Sequence, residues 1–211
     1  MQIHWHRRDL RVADNPALTT AAADGPALGL FVFDRDVLAH AGPPRVAFVL
    51  DALGSLRSAY RERGSDLLVR HGDPREVVPA VAREFGADGV TWGKEVSGLG
   101  RERDAAVRRA LNDADVSREA VQNALLHEPG SIRTNAGEVY SVYTYFWKKW
   151  RDREKESPVD APAAADLASG SSNPRSPSDG RGWSSDTSAR SAAAGASTGD
   201  SFSRSRHFFQ K

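Results

Sequence analysis

Short apolar runs alternate with amphipathic stretches along about the first 125 residues of the chain. The opening "QIHWH" is a short β-branched and aromatic run, and "ALGLFVFD" is a longer continuous apolar run. A continuous run of this length is typical of a strand that is buried on both faces of a sheet. Three further strands are predicted at "SDLLVR", at "DGVTWG" and within "VSREAVQNALLHE".

The segments between these runs have apolar residues at helical spacing. A helix is predicted to start at Asp14 to Pro16, because Asp or Asn caps free backbone amides and proline fits the first turn. The stretch "PPRVAFVLDALGSLRSAYRERG" predicts a second helix, and "DPREVVPAVAREFG" a third, from a capping Asp73 to a terminating Gly86. A fourth helix is predicted in "GLGRERDAAVRRALNDA".

This alternation predicts an α/β fold: a doubly wound, five-stranded parallel sheet with helices on both faces, Rossmann-like in architecture. Ligands of such sheets bind outside the carboxyl ends of the strands. The first strand ends in a charged cluster, made of Arg7, Arg8, Asp9, Arg11 and Asp14. "KEVSGLGRERD" follows the fourth strand. The cluster is interpreted either as the charged rim of a ligand pocket or of a domain interface, or as a set of mutually paired turn residues.

The composition changes towards the carboxyl terminus. Four aromatic residues at helical spacing predict a helix with an aromatic stripe: Tyr143, Phe146, Trp147 and Trp150. From Asp160 to Lys211 there is no Val or Ile and a single Leu, so this segment buries too little apolar surface to offset its ordering entropy. We therefore expect an α/β domain over 1–135, an aromatic helix within 136–156 and a disordered low-complexity tail over 157–211.

Composition and charge exclude several kinds of site and location. The 211 residues carry a net charge of +1 and include no cysteine, which excludes disulfides, thiolate nucleophiles and cysteine-ligated metals. No G-x-G-x-x-G follows the first strand and no G-x-x-x-x-G-K-[ST] occurs, which argues against a phosphate cradle. No apolar run reaches membrane-spanning length and the first residues are too polar for a signal peptide, so we expect no membrane contact and a cytoplasmic location.

His4 and His6 lie two residues apart on the first strand and therefore face the same way. With a third ligand they would form a metal site, but hydrogen-bonded histidines at a strand end are the favoured interpretation. The sequence shows no nucleophile elbow, carboxylate pair or catalytic triad. We predict no catalytic residue and no metal site.

Further segments carry a resemblance to known proteins. They are "WHRRDLRVADNPAL", "GLFVFDRDVL", "PPRVAFVLDALGSLR", "LLVRHGDPREVVPAVA", "GRERDAAVRRAL", "LLHEPGSI" and "YSVYTYFWKKW". Together they resemble, in order, the N-terminal part of the DNA photolyase and cryptochrome family over about residues 3–155. The resemblance implies an N-terminal α/β domain that holds a light-harvesting antenna chromophore. In full-length members a helical domain follows, which binds FAD and damaged DNA, and light-excited reduced FAD splits cyclobutane pyrimidine dimers.

The resemblance also implies a set of chromophore contacts. By their positions in the family's motifs these are Phe33, Asp34, Arg45, Lys94, Glu95, Val96 and Arg101. The apolar members would contact the ring system, the cations would meet a polar ring edge or an anionic tail, and the carboxylates would accept hydrogen bonds.

The identity of the antenna is argued from the loop around Arg101. Members that bind a reduced folate tend to have Asn-Glu just before this arginine, where the chain has Leu99 and Gly100. "LGRERD" looks more like the "YGR-x-RD" loop of members that bind 8-hydroxy-5-deazaflavin, although Ser97 and Gly98 replace the Glu-Pro usual there. The resemblance therefore favours 8-hydroxy-5-deazaflavin over a reduced folate.

Nothing after Ala165 resembles the connector or the helical domain of the family. We therefore expect the FAD site to be missing, damaged DNA to be a partner only of a full-length parent, and this polypeptide to be inactive in repair by itself. The tail is interpreted as an out-of-frame product or, alternatively, as a natural disordered linker. We expect the aromatic helix to expose an apolar patch that promotes self-association. The alternative function is a nucleotide- or flavin-binding α/β signalling module, including a cryptochrome-type light sensor.

Overall fold

Strands and helices alternate along the part of the chain that the computed structural model describes, residues 1–170. The strands are β1 (Gln2–His6), β2 (Ala27–Phe33), β3 (Leu68–His71), β4 (Gly89–Gly93) and β5 (Ser117–Val121). The α-helices are α1 (Pro16–Ala23), α2 (Arg35–Ala39), α3 (Pro43–Arg61), α4 (Pro74–Phe85), α5 (Gly98–Asp113) and α6 (Tyr143–Asp152). Every strand and helix predicted for the α/β region is present. The pattern does not predict the short helix α2.

The strands form one parallel sheet in the order β3-β2-β1-β4-β5. The chain winds outward from β1 to β3 and then crosses back to β4, so the direction of winding reverses between β1 and β4. Trp5 of β1 lies opposite Leu30 on one side and Trp92 on the other. This sheet confirms the predicted doubly wound α/β class and places the carboxyl ends of β1 and β4 at its topological switch point.

Two buried clusters cover the two faces of the sheet. Ile3 and Trp5 of β1 belong to the cluster formed with α4 and α5, and a second cluster includes side chains of α1 and α3. Because successive side chains of a strand point to opposite faces, His4 and His6 point towards the side of α1 and α3. Helices therefore cover both faces, as predicted.

Helix ends follow the capping residues of the sequence. The side chain of Asn15 accepts a hydrogen bond from the amide of Leu18, 3.2 Å away, at the start of α1. Asp73 accepts from the amide of Arg75 at 2.9 Å at the start of α4, and Gly86 ends that helix with a φ of +61°. These caps confirm the predicted helix boundaries.

Residues 159–168 return to the sheet. The amide of Ala168 donates to the carbonyl of Ala27, 2.9 Å away, and the side chain of Leu167 is only 8% exposed. Since β3 pairs with β2 only from Leu30 onward, the first residues of β2 have a free edge that this segment occupies. The predicted start of the tail at residue 157 is therefore too early. The rest of the predicted tail, 171–211, lies outside the described residues.

Helix α6 lies within the segment 136–156, for which an aromatic helix is predicted. Tyr143 is 70% exposed and Trp147 40% exposed, whereas Phe146 and Trp150 are half-buried against the loop before the helix. Only half of the aromatic stripe therefore faces outward. None of the described helices is both long enough and apolar enough to cross a bilayer.

Candidate functional site

The polar segments that follow β1 and β4 meet at the switch point of the sheet. Between them lies a cavity of about 80 Å³. It is lined by Arg7, Arg8, Asp9, Arg11, Gly93, Lys94, Glu95, Asn123 and Ala124. This is the position at which doubly wound sheets bind ligands. We call it the crevice.

His6, beneath the crevice, has both ring nitrogens in hydrogen bonds. The ring Nδ1 of His6 lies 3.0 Å from the backbone oxygen of Asp9, and its Nε2 lies 2.7 Å from the hydroxyl of Tyr60. Burial, with a smaller contribution from His4, lowers the pKa of His6 to about 3, and burial raises the pKa of Tyr60. Neutral His6 therefore donates from Nδ1 and accepts the tyrosine hydroxyl at Nε2.

Asp9 carries the buried negative charge of this cluster. Its carboxylate lies 3.2 Å from Nε2 of His4 and accepts hydrogen bonds from the side-chain amide of Asn123 at 2.7 Å and the backbone amide of Arg7 at 2.9 Å. Burial alone would raise the pKa of Asp9, but the contact with His4 and the amide of Arg7 hold it well below its usual range. Asp9 is ionised at neutral pH and ties β1 to the segment after β5.

His4, His6 and Asp9 have ligand atoms within 4.8 Å of one another. Imidazole and carboxylate groups are ligands of first-row transition metals. However, all four ring nitrogens already have protein partners, including Thr91 Oγ1 at 3.0 Å from Nδ1 of His4. A metal ion would have to displace these bonds, so the geometry favours hydrogen-bonded histidines.

Arg7 joins three elements at the edge of the crevice. Its guanidinium donates to the carboxylate of Asp104 on α5 and to the backbone oxygen of Gly93 at the end of β4. Asp104 also accepts from the indole nitrogen of Trp92, 3.2 Å away, and Arg7 lies over the Trp5 ring at 4.8 Å. Both charged side chains are about nine-tenths buried, so this pair has a structural role.

Arg103 lies between two of the predicted contact residues. Its guanidinium is 3.6 Å from the carboxylate of Asp34 and 5.4 Å from the Trp5 ring. Burial and the positive charge of Arg7 lower the pKa of Arg103, and nearby carboxylates including Glu95 partly offset this effect. Asp34 and Glu95 come from different strand ends, and Arg103 interacts electrostatically with both.

The second carboxylate, Glu95, is fixed by its own loop. It accepts hydrogen bonds from the backbone amides of Val96 at 2.9 Å and Ser97 at 3.2 Å, and Arg8 lies 3.7 Å away. Burial would raise the pKa of Glu95, but these amide bonds and the two arginines after β1 lower it overall. Glu95 is therefore an ionised acceptor that lines the crevice.

The other five predicted contact residues do not join the cluster around Arg103. Phe33 is half-buried with its ring 5.1 Å from that of Phe31. Lys94 lines the crevice and pairs with Glu128. The last three are exposed on the loop after β4 and in the first turns of α3 and α5: Val96, Arg45 and Arg101.

Sequence reasoning missed Arg103 and Asp104. The buried residues of α5 include Gly100, Asp104, Val107 and Leu111, which lie on one face at steps of four, three and four. Extending the apolar stripe of this helix towards its start would have placed Asp104 on the buried face. No local signal marks Arg103, because its burial depends on Trp5 of a different element.

A larger open groove of about 820 Å³ lies beside α6. Its cationic lining residues are Arg133, Lys148, Lys149 and Arg153. Three of these hold backbone carbonyls of the loop at 130–137: Lys149 contacts that of Arg133, Arg133 those of Gly130 and Gly137, and Arg153 that of Ser131. The cations of this groove mainly shape the loop, so we place the candidate site at the crevice.

The sheet order defines a doubly wound α/β domain, with a charged crevice at the strand ends of its switch point as the candidate site. Comparison with known proteins then gives the family. The family model "DNA photolyase" matches residues 2–164, and the chain belongs to this family.

The relatives agree with this assignment. A deoxyribodipyrimidine photo-lyase of Halobacterium salinarum is 55% identical over 178 residues, which is 80% of this chain and 37% of that protein. A cryptochrome DASH of Natronomonas pharaonis is 36% identical over 169 residues, covering 76% of this chain and 35% of that protein. The chain thus spans little more than a third of the length of these relatives.

Solved structures share the fold. A class III photolyase of Agrobacterium tumefaciens is 30% identical, with a TM-score of 0.71 over 79% of this chain and 35% of that one. An archaeal photolyase of Sulfolobus tokodaii, described with two FAD molecules, has a TM-score of 0.71 over 82% of this chain and 39% of that one. At 22% identity the second likeness shows the fold alone.

Proposed function

We propose that this chain binds a light-harvesting antenna chromophore at the crevice, with only an edge of the ring system entering the cavity of about 80 Å³. The observation that carries the proposal is a pair of carboxylates from two different strand ends. Asp34 lies 3.6 Å from the guanidinium of Arg103, and Glu95 lines the crevice and acts electrostatically on the same arginine. Carboxylates of fixed orientation at the strand ends suit a planar heterocycle with polar edges. Family membership supplies the class of ligand.

The proposed contact set keeps the residues expected from the sequence and adds one. They are Phe33, Asp34, Arg45, Lys94, Glu95, Val96 and Arg101, with Arg103 as the addition. Asp34 and Glu95 would accept hydrogen bonds from the ring system. The exposed cations would contact a polar ring edge or an anionic tail. Their long side chains at the rim are flexible enough to follow such a tail.

We propose 8-hydroxy-5-deazaflavin rather than a reduced folate as the antenna. The support is the loop "LGRERD" and the residues Leu99 and Gly100, which differ from the Asn-Glu pair that folate-binding members tend to have.

The remaining functions are proposed for a complete protein of this family. In such a protein, FAD in the helical domain would use light to split pyrimidine dimers in damaged DNA. This antenna would pass excitation energy to that FAD. A light-sensing role is the second candidate, and the 36% identity to a cryptochrome DASH favours it. We also propose a cytoplasmic location, on the basis of family membership.

The test is ligand binding by the full 211-residue chain. The purified protein is titrated in turn with 8-hydroxy-5-deazaflavin, 5,10-methenyltetrahydrofolate, FAD and ATP. Binding is followed by ligand fluorescence for the first three and by isothermal titration calorimetry for ATP. We expect the deazaflavin to bind with 1:1 stoichiometry and the folate at least tenfold more weakly. Selective binding of the folate would overturn the choice of antenna, and selective binding of FAD or ATP would support the signalling-module alternative.

Two matched variants localise the binding. Glu95→Gln keeps the size of the side chain but removes the charge, and we expect a tenfold loss of deazaflavin affinity, about 1.4 kcal/mol. Glu62→Gln, at the far end of α3, should bind as the wild type does. Equal effects of the two substitutions would contradict the placement of the ligand in the crevice.

A further inference from the structure

Gly100 stands directly against the side chain of Glu95. A Cβ at position 100 would lie 1.8 Å from Cγ of Glu95 and 2.8 Å from its Cδ. It would also lie 2.8 Å from Oγ of Ser97, the hydroxyl that caps α5 by accepting the amide of Gly100. Any side chain at position 100 therefore requires Glu95 to move.

The side chain of Glu95 folds back over the first turn of α5, against Gly100. In this position its side chain is 10% exposed, accepts the amides of Val96 and Ser97, and lines the crevice. A carboxylate fixed by two backbone amides is an oriented acceptor, and it does not reorganise when a ligand arrives.

We infer that Gly100 is a positioning residue of the crevice: the absence of a side chain at this position lets the Glu95 carboxylate fold back and present an acceptor to an N–H or O–H group of the bound heterocycle. The ligand is thereby restricted to rings with a hydrogen-bond donor on the edge that faces Glu95. The ligand part of this inference rests on the proposed function, whereas the positioning of Glu95 concerns this chain alone.

The first test compares Gly100→Ala with Gly98→Ala in the full chain. Gly98 lies in the same turn, but a Cβ there would meet nothing within 4 Å. The pKa of Glu95 is measured from the NMR shifts of its side-chain carboxyl. We expect the pKa of Glu95 to stay below the ordinary value of a glutamate in the wild type and in Gly98→Ala, and to rise towards that ordinary value in Gly100→Ala. An unchanged titration of Glu95 in Gly100→Ala would overturn the inference.

A second measurement covers the case in which Gly100→Ala folds poorly. Gly100→Ala is made in the wild type and in a Glu95→Ala background, and thermal midpoints are compared. We expect the substitution to lower the midpoint by roughly 4 °C or more in the wild type and by less than half as much without Glu95. The same loss in both backgrounds would contradict a specific conflict with Glu95.

Ligand titration separates this inference from the proposed function. We expect Gly100→Ala to weaken 8-hydroxy-5-deazaflavin binding about tenfold, while Gly98→Ala binds normally. If the wild type binds no deazaflavin but the Glu95 titrations differ between the variants as expected, the proposed function is refuted. The positioning of Glu95 by Gly100 is then still supported. If Gly100→Ala changes the titration of Glu95 but binds 8-hydroxy-5-deazaflavin as tightly as the wild type does, the ligand part of the inference is refuted.

Discussion

The hydroxyl of Tyr60, on α3, lies 2.7 Å from Nε2 of His6 at the end of β1, and both side chains are fully buried. The contact joins the helix layer to the strand end beneath the crevice. Close approach of the tyrosine also depends on Gly29 of β2, because a Cβ there would lie 2.5 Å from the phenol ring. The strand ends are thus held by polar contacts as well as by apolar packing.

Removing the Tyr60 hydroxyl should destabilise the domain. Tyr60→Phe leaves Nε2 of His6 buried without a partner, and we expect a loss of about 1–3 kcal/mol in the free energy of unfolding, measured by urea denaturation. Tyr143→Phe, on the exposed face of α6, is the control and should change stability by less than about 0.5 kcal/mol. Equal stabilities of the two variants would show that the contact contributes nothing.

Stability should fall on mild acidification. His6 has a pKa of about 3 in the folded state, below its unfolded value of about 6.5, so the unfolded chain binds the extra proton between these values. The contribution is fully present above pH 6.5 and is lost as the pH falls towards 3, by at most about 1.4 kcal/mol per pH unit. Asp9, with a lowered pKa, adds a further loss below about pH 4.

The measurement is urea unfolding at pH 7.5, 6 and 5. His6→Gln should reduce the slope of stability against pH over this range, whereas the exposed variant His40→Gln should keep the wild-type slope. A His6→Gln protein with the wild-type slope would assign the acid sensitivity to other groups.

The buried pair of Arg7 and Asp104 should be sensitive to the loss of one partner. Asp104→Asn leaves the guanidinium buried without its counter-charge, and we expect a loss of about 3–5 kcal/mol in unfolding free energy. The exposed pair of Arg151 and Asp152 provides the matched control, and Asp152→Asn should cost less than about 1 kcal/mol. Similar losses in both variants would contradict the difference in burial.

The segment 159–168 should contribute to the stability of the domain. Leu167→Ala removes a buried side chain that packs between α3 and the start of β2, so we expect a loss of about 2–4 kcal/mol. Leu126→Ala, at a side chain that is 56% exposed, should change stability little. A neutral Leu167→Ala would indicate that the segment is not docked in solution.

We expect self-association through the outward face of α6, where Tyr143 and Trp147 are exposed. The substitution Trp147→Glu should lower the sedimentation coefficient at high protein concentration and reduce binding of a hydrophobic dye. Phe48→Glu, at an exposed position on α3, is the control and should retain the association. A wild type that remains monomeric at high concentration would contradict the expectation.

Much of the fold was predictable because its elements are locally specified. The continuous apolar run of β2 is typical of a strand that is buried on both faces. Asn15, Asp73 and Gly86 cap helices through contacts with residues close to them in the sequence. Helix α2 was not predictable in this way, since it is a single short turn capped by Asp34 rather than a periodic segment.

The site was predictable in part. The strand ends are predicted by the hydrophobic pattern, so the position of the crevice follows from topology. The choice of Asp34 and Glu95 came from the family resemblance, and of these two residues only Glu95 lines the crevice. The burial of Arg103 depends on Trp5, and the docking of Leu167 depends on the free edge of β2. Both are contacts between distant parts of the chain, which periodicity along one segment does not encode.

The most direct test of the central claim is a crystal structure of the full chain reconstituted with 8-hydroxy-5-deazaflavin. We predict the ring system at the carboxyl ends of β1 and β4, within hydrogen-bond distance of the Glu95 or Asp34 carboxylate. A chromophore bound elsewhere, such as in the groove beside α6, with the crevice unoccupied, would contradict the account.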